Sequence, residues 1–273
     1  MRKLLLALLC CAVFPAISWS QVKIKYTGDP LPSKAMGKIE SMMGHMWDYY
    51  SSMGLKEAME VELKVFKSKK EGYRYMRSLY PDDPNYIEQP HDKTMGGGLA
   101  AVYIPKKKLA VLLGIEHGTD EALTIIYHEL SHHYTRMLFK GATYPPIWLN
   151  EGLAEHFECL KLKRSGVVSE FPHANKGKVK TLIMLGDLNL EKFLNFTQKE
   201  FMEMQRNEGQ TCYSLAHVTV TVLLENLSVE QRNTLISQLQ KRPVNSKVSD
   251  IVASIYPGGL PALEKEILEF VSR

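Results

Sequence analysis

Beyond residue 20 the 273-residue chain holds only two cysteines, Cys159 and Cys212. It therefore permits at most one disulfide, and a scaffold stapled by several bridges is excluded. No apolar run reaches the roughly 20 residues needed to span a bilayer. The apolar stretch over residues 4–17 is shorter than that and is interrupted by Pro15. An excess of charge of one sign is missing too. Without Arg2 and Lys3 the basic residues fall from 34 to 32 against 30 acidic ones, a net charge of +2. That is not the footprint of a nucleic-acid-binding protein. Lys67 with Lys69 and Lys70, and the three lysines at 106–108, read as solvated turns. There is no internal repeat, no low-complexity run and no long linker of Pro, Gly and Ser. Nothing marks a boundary within residues 21–273, which are read as a single domain.

What is present begins with a targeting pattern. Arg2 and Lys3 precede the apolar run, and Ser18 and Ser20 are small residues three and one before a cut ahead of Gln21. This is the pattern of a secretory signal peptide over residues 1–20. The mature chain is thus expected to be exported, periplasmic or secreted, and soluble, with no membrane span.

The hydrophobic period changes along the mature chain. Met36, Ile39, Met43, Met46, Trp47 and Tyr50 recur at helical spacing over residues 33–52, and the methionines are read as core filler. Val61, Leu63 and Val65 alternate with charged residues as in a half-buried strand. Residues 71–79 suggest a short helix and residues 81–98 a loop. The apolar runs at 99–104 and 109–113, joined by Pro105 and three lysines, predict a β-hairpin. From Thr119 on nearly everything is helix-periodic. The expected fold is α+β: a strand-containing part over 21–115, then a helical part over 116–273.

The chemistry is carried by YHELSHHY, residues 127–134. Thr119, Asp120 and Glu121 make a good helix start, and Leu123, Ile126, Leu130 and Met137 keep helical period up to Gly141. His128 and His132 then lie one turn apart on one face, where two imidazoles can share one metal ion. Glu129, beside the first histidine, is placed to reach a water on that metal. Zinc in hydrolytic sites takes three protein ligands and keeps one position open for water, whose pKa it lowers. A longer motif, H-x-x-G-x-x-H, would need glycine and histidine where this chain has Thr135 and Leu138, so the third ligand must come from elsewhere. Further on comes PPIWLNEGLAEHFE, residues 145–158, where Pro145 and Pro146 open a second helix. It carries Glu151 and Glu155 four apart on one face. The eighteen residues between His132 and Glu151 allow the first helix to end, turn, and send an antiparallel partner back past the metal.

HELSH followed by WLNEGLAE resembles the gluzincin superfamily of zinc metallopeptidases, and most closely small exported peptidase MA-like proteins. The resemblance covers residues 118–158. It implies that His128, His132 and Glu151 hold one zinc ion, that Glu129 is the general base, and that Glu155 orients a ligand histidine. It also implies an edge strand, 99–104 or 109–113, that aligns a peptide substrate by backbone pairing. The zinc aminopeptidases carry a G-x-M-E-N loop whose acid binds a free amine. The nearest stretch here, TMGGGLAA at 94–101, has no acid, so an endopeptidase acting on peptides or proteins is expected. By likeness to the aminopeptidase branch, Tyr213 is the candidate oxyanion donor, with Tyr144 as rival. A catalytically silent zinc-binding scaffold is the alternative, since fold does not fix function. It would leave Glu129 without a purpose.

Three expectations concern the surroundings. Residues 211–225 are expected to form an amphipathic helix. Cys159 and Cys212 are candidates for a disulfide joining the Glu151 helix to the Tyr213 helix. His133, about 100° around the helix from His132, is expected on the surface, and His156 off the metal face. His45, His91, His117 and His173 receive no role.

Overall fold

The computed structural model describes residues 22–82, 100–114, 119–140, 144–163, 166–169, 171–208 and 211–273. The expected signal peptide, most of the 81–98 loop, His91, Leu99, His117 and Gly141 lie outside the described residues. The architecture is α+β, strands first and helices after.

The first part is a four-stranded sheet with helices on both faces. Its strands are β1 (Val22–Gly28), β2 (Met59–Phe66), β3 (Ala101–Ile104) and β4 (Leu109–Leu113), in the order β1-β2-β4-β3. β1, β2 and β4 run parallel, with α1 (Ser33–Ser52) crossing from β1 to β2. β3 pairs antiparallel with β4, Ala101 opposite Leu112, across a 3-10 turn at Pro105–Lys107. All five residues of β4 are buried. Its side chains alternate between the two faces. Ala110 and Leu112 enter the main core, while Leu109, Val111 and Leu113 join Met76 of α2 (Lys69–Leu79) in a second one. Of the two runs considered as a peptide-aligning edge, 109–113 is interior, with both backbone edges already paired, and β3 lies at an edge of the sheet among the described residues.

Ile39, Met42, Met43 and Met46 of α1 are buried in the main core. There α1 meets α3 (Thr119–Leu138) through hydroxyl contacts as well as apolar ones. The Tyr50 hydroxyl lies 2.8 Å from both Ser131 Oγ and Thr135 Oγ1, and the Tyr134 hydroxyl donates to the Met43 carbonyl at 2.7 Å. On another face of α3, the Tyr103 hydroxyl of β3 lies 2.7 Å from His133 Nδ1. His133 is fully buried rather than on the surface. The reason is that β3 packs on the face 100° from His132, which a solitary helix would leave to water. Burial, and then Lys108, push its pKa down to about 4, so the ring is neutral.

The second part continues with α4 (Ile147–Glu158), α5 (His173–Met184), α6 (Leu190–Leu194), α7 (Gln198–Glu208), α8 (Thr211–Asn226), α9 (Val229–Lys241), α10 (Val248–Ile255) and α11 (Gly259–Ser272). A short hairpin, β5 (Leu160–Lys163) with β6 (Gly166–Ser169), interrupts the helices. Leu160 and Leu162 alternate there with Lys161 and Lys163, a pattern too brief to stand out from the helical background. Expected to be amphipathic, α8 is instead the central helix. Thr211, Cys212 and every residue from Ser214 to Leu224 are buried, so Tyr213 has buried neighbours on both sides along the chain. A helix buried all round is a core helix. Among the described residues no helix is long and apolar enough to cross a membrane.

α4 is held at two points. The Trp148 indole N–H donates to the Leu194 carbonyl of α6 at 3.1 Å. At Gly152 the helix lies directly on α8: a Cβ there would stand 2.4 Å from the Ala216 carbonyl oxygen and 2.5 Å from a Val220 methyl. Only glycine allows this approach. Gly152→Ala should therefore destabilise the protein by about 1–3 kcal/mol in urea unfolding, the usual cost of overpacking. An unchanged or higher midpoint, reflecting alanine's better helix propensity of roughly 1 kcal/mol, would contradict this packing.

Candidate metal centre

α3 presents His128 and His132 one turn apart, with ring centroids 4.9 Å apart and planes at 84°. α4 brings Glu151 against them. Its Oε2 lies 3.6 Å from His128 Nε2 and 3.6 Å from His132 Nε2. These distances are too long for hydrogen bonds. They match the spacing of ligand atoms around a tetrahedral zinc, about 3.3–3.6 Å for bonds of roughly 2.0–2.2 Å. The three donor atoms lie within 4.8 Å of one another. Two imidazole nitrogens and one carboxylate oxygen, all little exposed, suit zinc by donor type and by reach.

The outer contacts orient these donors. His128 Nδ1 lies 2.9 Å from Glu158 Oε2 and 4.0 Å from Glu155 Oε1. A carboxylate only accepts, so Nδ1 carries the proton and Nε2 faces Glu151. The Asn150 amide donates to Glu151 Oε1 at 3.2 Å, which leaves Oε2 to the histidines. His132 Nδ1 is buried and has no partner among the described residues.

The charges are strongly coupled. Burial opposes protonation of His128, but Glu151 and Glu158 outweigh it and hold its pKa well above the imidazole range. Burial would raise the Glu151 carboxyl, yet His132 and His128 hold it below the ordinary range. Glu129 is raised by burial, with Glu151 and Glu158 adding to the shift and both histidines opposing it. Glu155 is pushed up to about 7 by burial and then by Glu158. Four acids around two imidazoles form a site in which a dication would relieve both repulsion and desolvation.

Tyr213 of α8 lies within electrostatic range of the same carboxylates. Burial first, then the carboxylates of Glu151, Glu155 and Glu129, raise its pKa, so the phenol keeps its proton. Its ring packs edge-on against Phe201. Tyr144 does not share this environment. It is 68% exposed, under the Arg136 guanidinium at 4.6 Å. Cys159 and Cys212 are thiols, not a disulfide. α4 and α8 touch at Gly152 and Ala216. Cys159 lies seven residues past that contact and Cys212 four residues before it, so neither sulfur sits at the crossing. His156 lies off the metal face, stacked on Tyr49 at 5.5 Å and 6.3 Å from His217. His173 opens α5, and His45 packs beside Phe157.

Sequence reasoning passes over Glu158 and Asn150. A signal for Glu158 is present, since it follows Glu151 by seven residues and Glu155 by three, both helical intervals. Comparison with protein-family models and with curated proteins returned no match for the chain.

Purified protein comprising residues 21–273 should bind one equivalent of zinc. His132→Ala or Glu151→Ala should lose most of it, because two remaining ligands make a poor site. Full zinc occupancy in the His132→Ala/Glu151→Ala double variant, measured by metal analysis, would contradict the ligand set.

Proposed function

We propose that the protein is an exported zinc metallopeptidase that hydrolyses internal peptide bonds. The observation that carries this reading is the convergence of His128 Nε2, His132 Nε2 and Glu151 Oε2, with Glu129 next to His128 on the same helix. Zinc held by these three residues would supply a Lewis acid that polarises the scissile carbonyl and acidifies water. Glu129 accepts the proton of the attacking water as its oxygen adds to the carbonyl carbon. The same proton then passes to the departing amine as the carbon–nitrogen bond breaks. Tyr213 donates its hydroxyl hydrogen bond to the developing oxyanion, a task that requires the phenol to stay protonated. The outer edge of β3, unpaired among the described residues, pairs with an extended substrate strand.

Export rests on the pattern of residues 1–20, and the internal cleavage on the lack of an acid in TMGGGLAA. A silent scaffold would need no base, and Glu129 beside His128 would then have no task.

Glu129→Gln should keep its zinc and lose hydrolysis of a peptide library, by about 10²–10⁴-fold for a general base. Tyr213→Phe should cost about a hundredfold or more in turnover. Cleavage by Glu129→Gln at the wild-type rate would remove the base assignment. A Tyr213→Phe rate within about twofold of wild type would remove the oxyanion role.

A further inference from the structure

α4 carries three acids, Glu151, Glu155 and Glu158. By resemblance, Glu155 is the one that orients a ligand histidine. The distances divide the work differently. Glu158 Oε2 is 2.9 Å from His128 Nδ1, a hydrogen bond, whereas Glu155 Oε1 is 4.0 Å away. At 4.0 Å Glu155 makes no hydrogen bond to the ring, and Glu158 is the carboxylate that holds Nδ1.

We propose that Glu158, and not Glu155, is the positioning residue for His128. This rests on the reading of His128 as a zinc ligand. The physical basis is directional. An acceptor fixed on Nδ1 pins the imidazole ring about its last torsion and keeps Nε2 aimed at Glu151 Oε2. It also increases the basicity of the ligating nitrogen. Glu158 gains in return. It is the last residue of α4, where the helix dipole disfavours an anion, and the imidazole N–H offsets that field.

The test uses the full mature chain and two measurements. The first is zinc affinity by competition with a chelator. Glu158→Ala should bind zinc about 10–100-fold more weakly, the usual cost of losing such a contact. Glu158→Gln, whose amide oxygen still accepts from Nδ1–H, should recover most of the affinity, and Glu155→Gln should bind like wild type. The second is the downfield Nδ1 proton of His128 in ¹H–¹⁵N spectra of the metal-free protein. It should be present in wild type and Glu155→Gln and absent in Glu158→Ala. Retention of that proton in Glu158→Ala, or its loss in Glu155→Gln, overturns the inference whether or not zinc binds. If wild type shows the proton but takes up no zinc, the metallopeptidase reading fails while the positioning contact stands. Should Glu158→Ala not fold, Glu158→Asp withdraws the oxygen while keeping the charge, and wild-type zinc affinity there would overturn the inference equally.

Discussion

Everything at the metal centre depends on how closely α4 lies on α8. Gly152 lets the helix backbones touch at Ala216, and Glu151 is the adjacent residue on the chain. A side chain at 152 would lift α4 and carry the third donor away from two imidazoles whose positions α3 fixes independently. α3 is itself held from two sides, by Tyr50 and Tyr134 contacts with α1 and by the Tyr103–His133 pair with β3. The site is therefore a meeting of two rigid frames. One is the sheet with α1 and α3, and the other is α4 seated on the buried α8.

The electrostatics explain why such rigidity is needed. Glu129, Glu151, Glu155 and Glu158 surround two histidines in a poorly hydrated place, and unpaired buried charge is expensive. The protein answers by sharing: Glu151 with both Nε2 atoms and Glu158 with Nδ1 of His128. About an ångström separates Glu158, which holds that nitrogen, from Glu155, which does not, and a hydrogen bond tolerates little more than that. Burial first, and then three of the four acids, keep the proton on Tyr213.

Much of this is legible in the sequence, for a physical reason. Residues that act from a helix must obey its period, so HELSH and the 151–155–158 series lie on single faces whatever surrounds them. The hairpin at β3 and β4 is legible because apolar runs around a Pro-Lys turn leave few other folds. What is not legible depends on neighbours. His133 resembles a surface residue because the strand that covers it comes from much earlier in the chain. α8 resembles an amphipathic helix because Ser214, His217, Thr219 and Thr221 are polar, though all are buried. Whether a hydroxyl or a neutral imidazole sits in water or in the interior is decided by the elements packed around it, which the local pattern does not contain. The two cysteines are candidates for a bridge only as long as the crossing point of α4 and α8 is unknown. The choice between Glu155 and Glu158 turns on 4.0 Å against 2.9 Å, which no spacing rule resolves.

The most direct test is X-ray absorption at the zinc edge on protein loaded with one equivalent of the metal. The first shell should contain only nitrogen and oxygen, with the outer scattering of two imidazole rings and no sulfur. A sulfur ligand, or scattering from fewer than two imidazoles, would mean that His128, His132 and Glu151 do not hold the ion, and the proposed chemistry would fall with them.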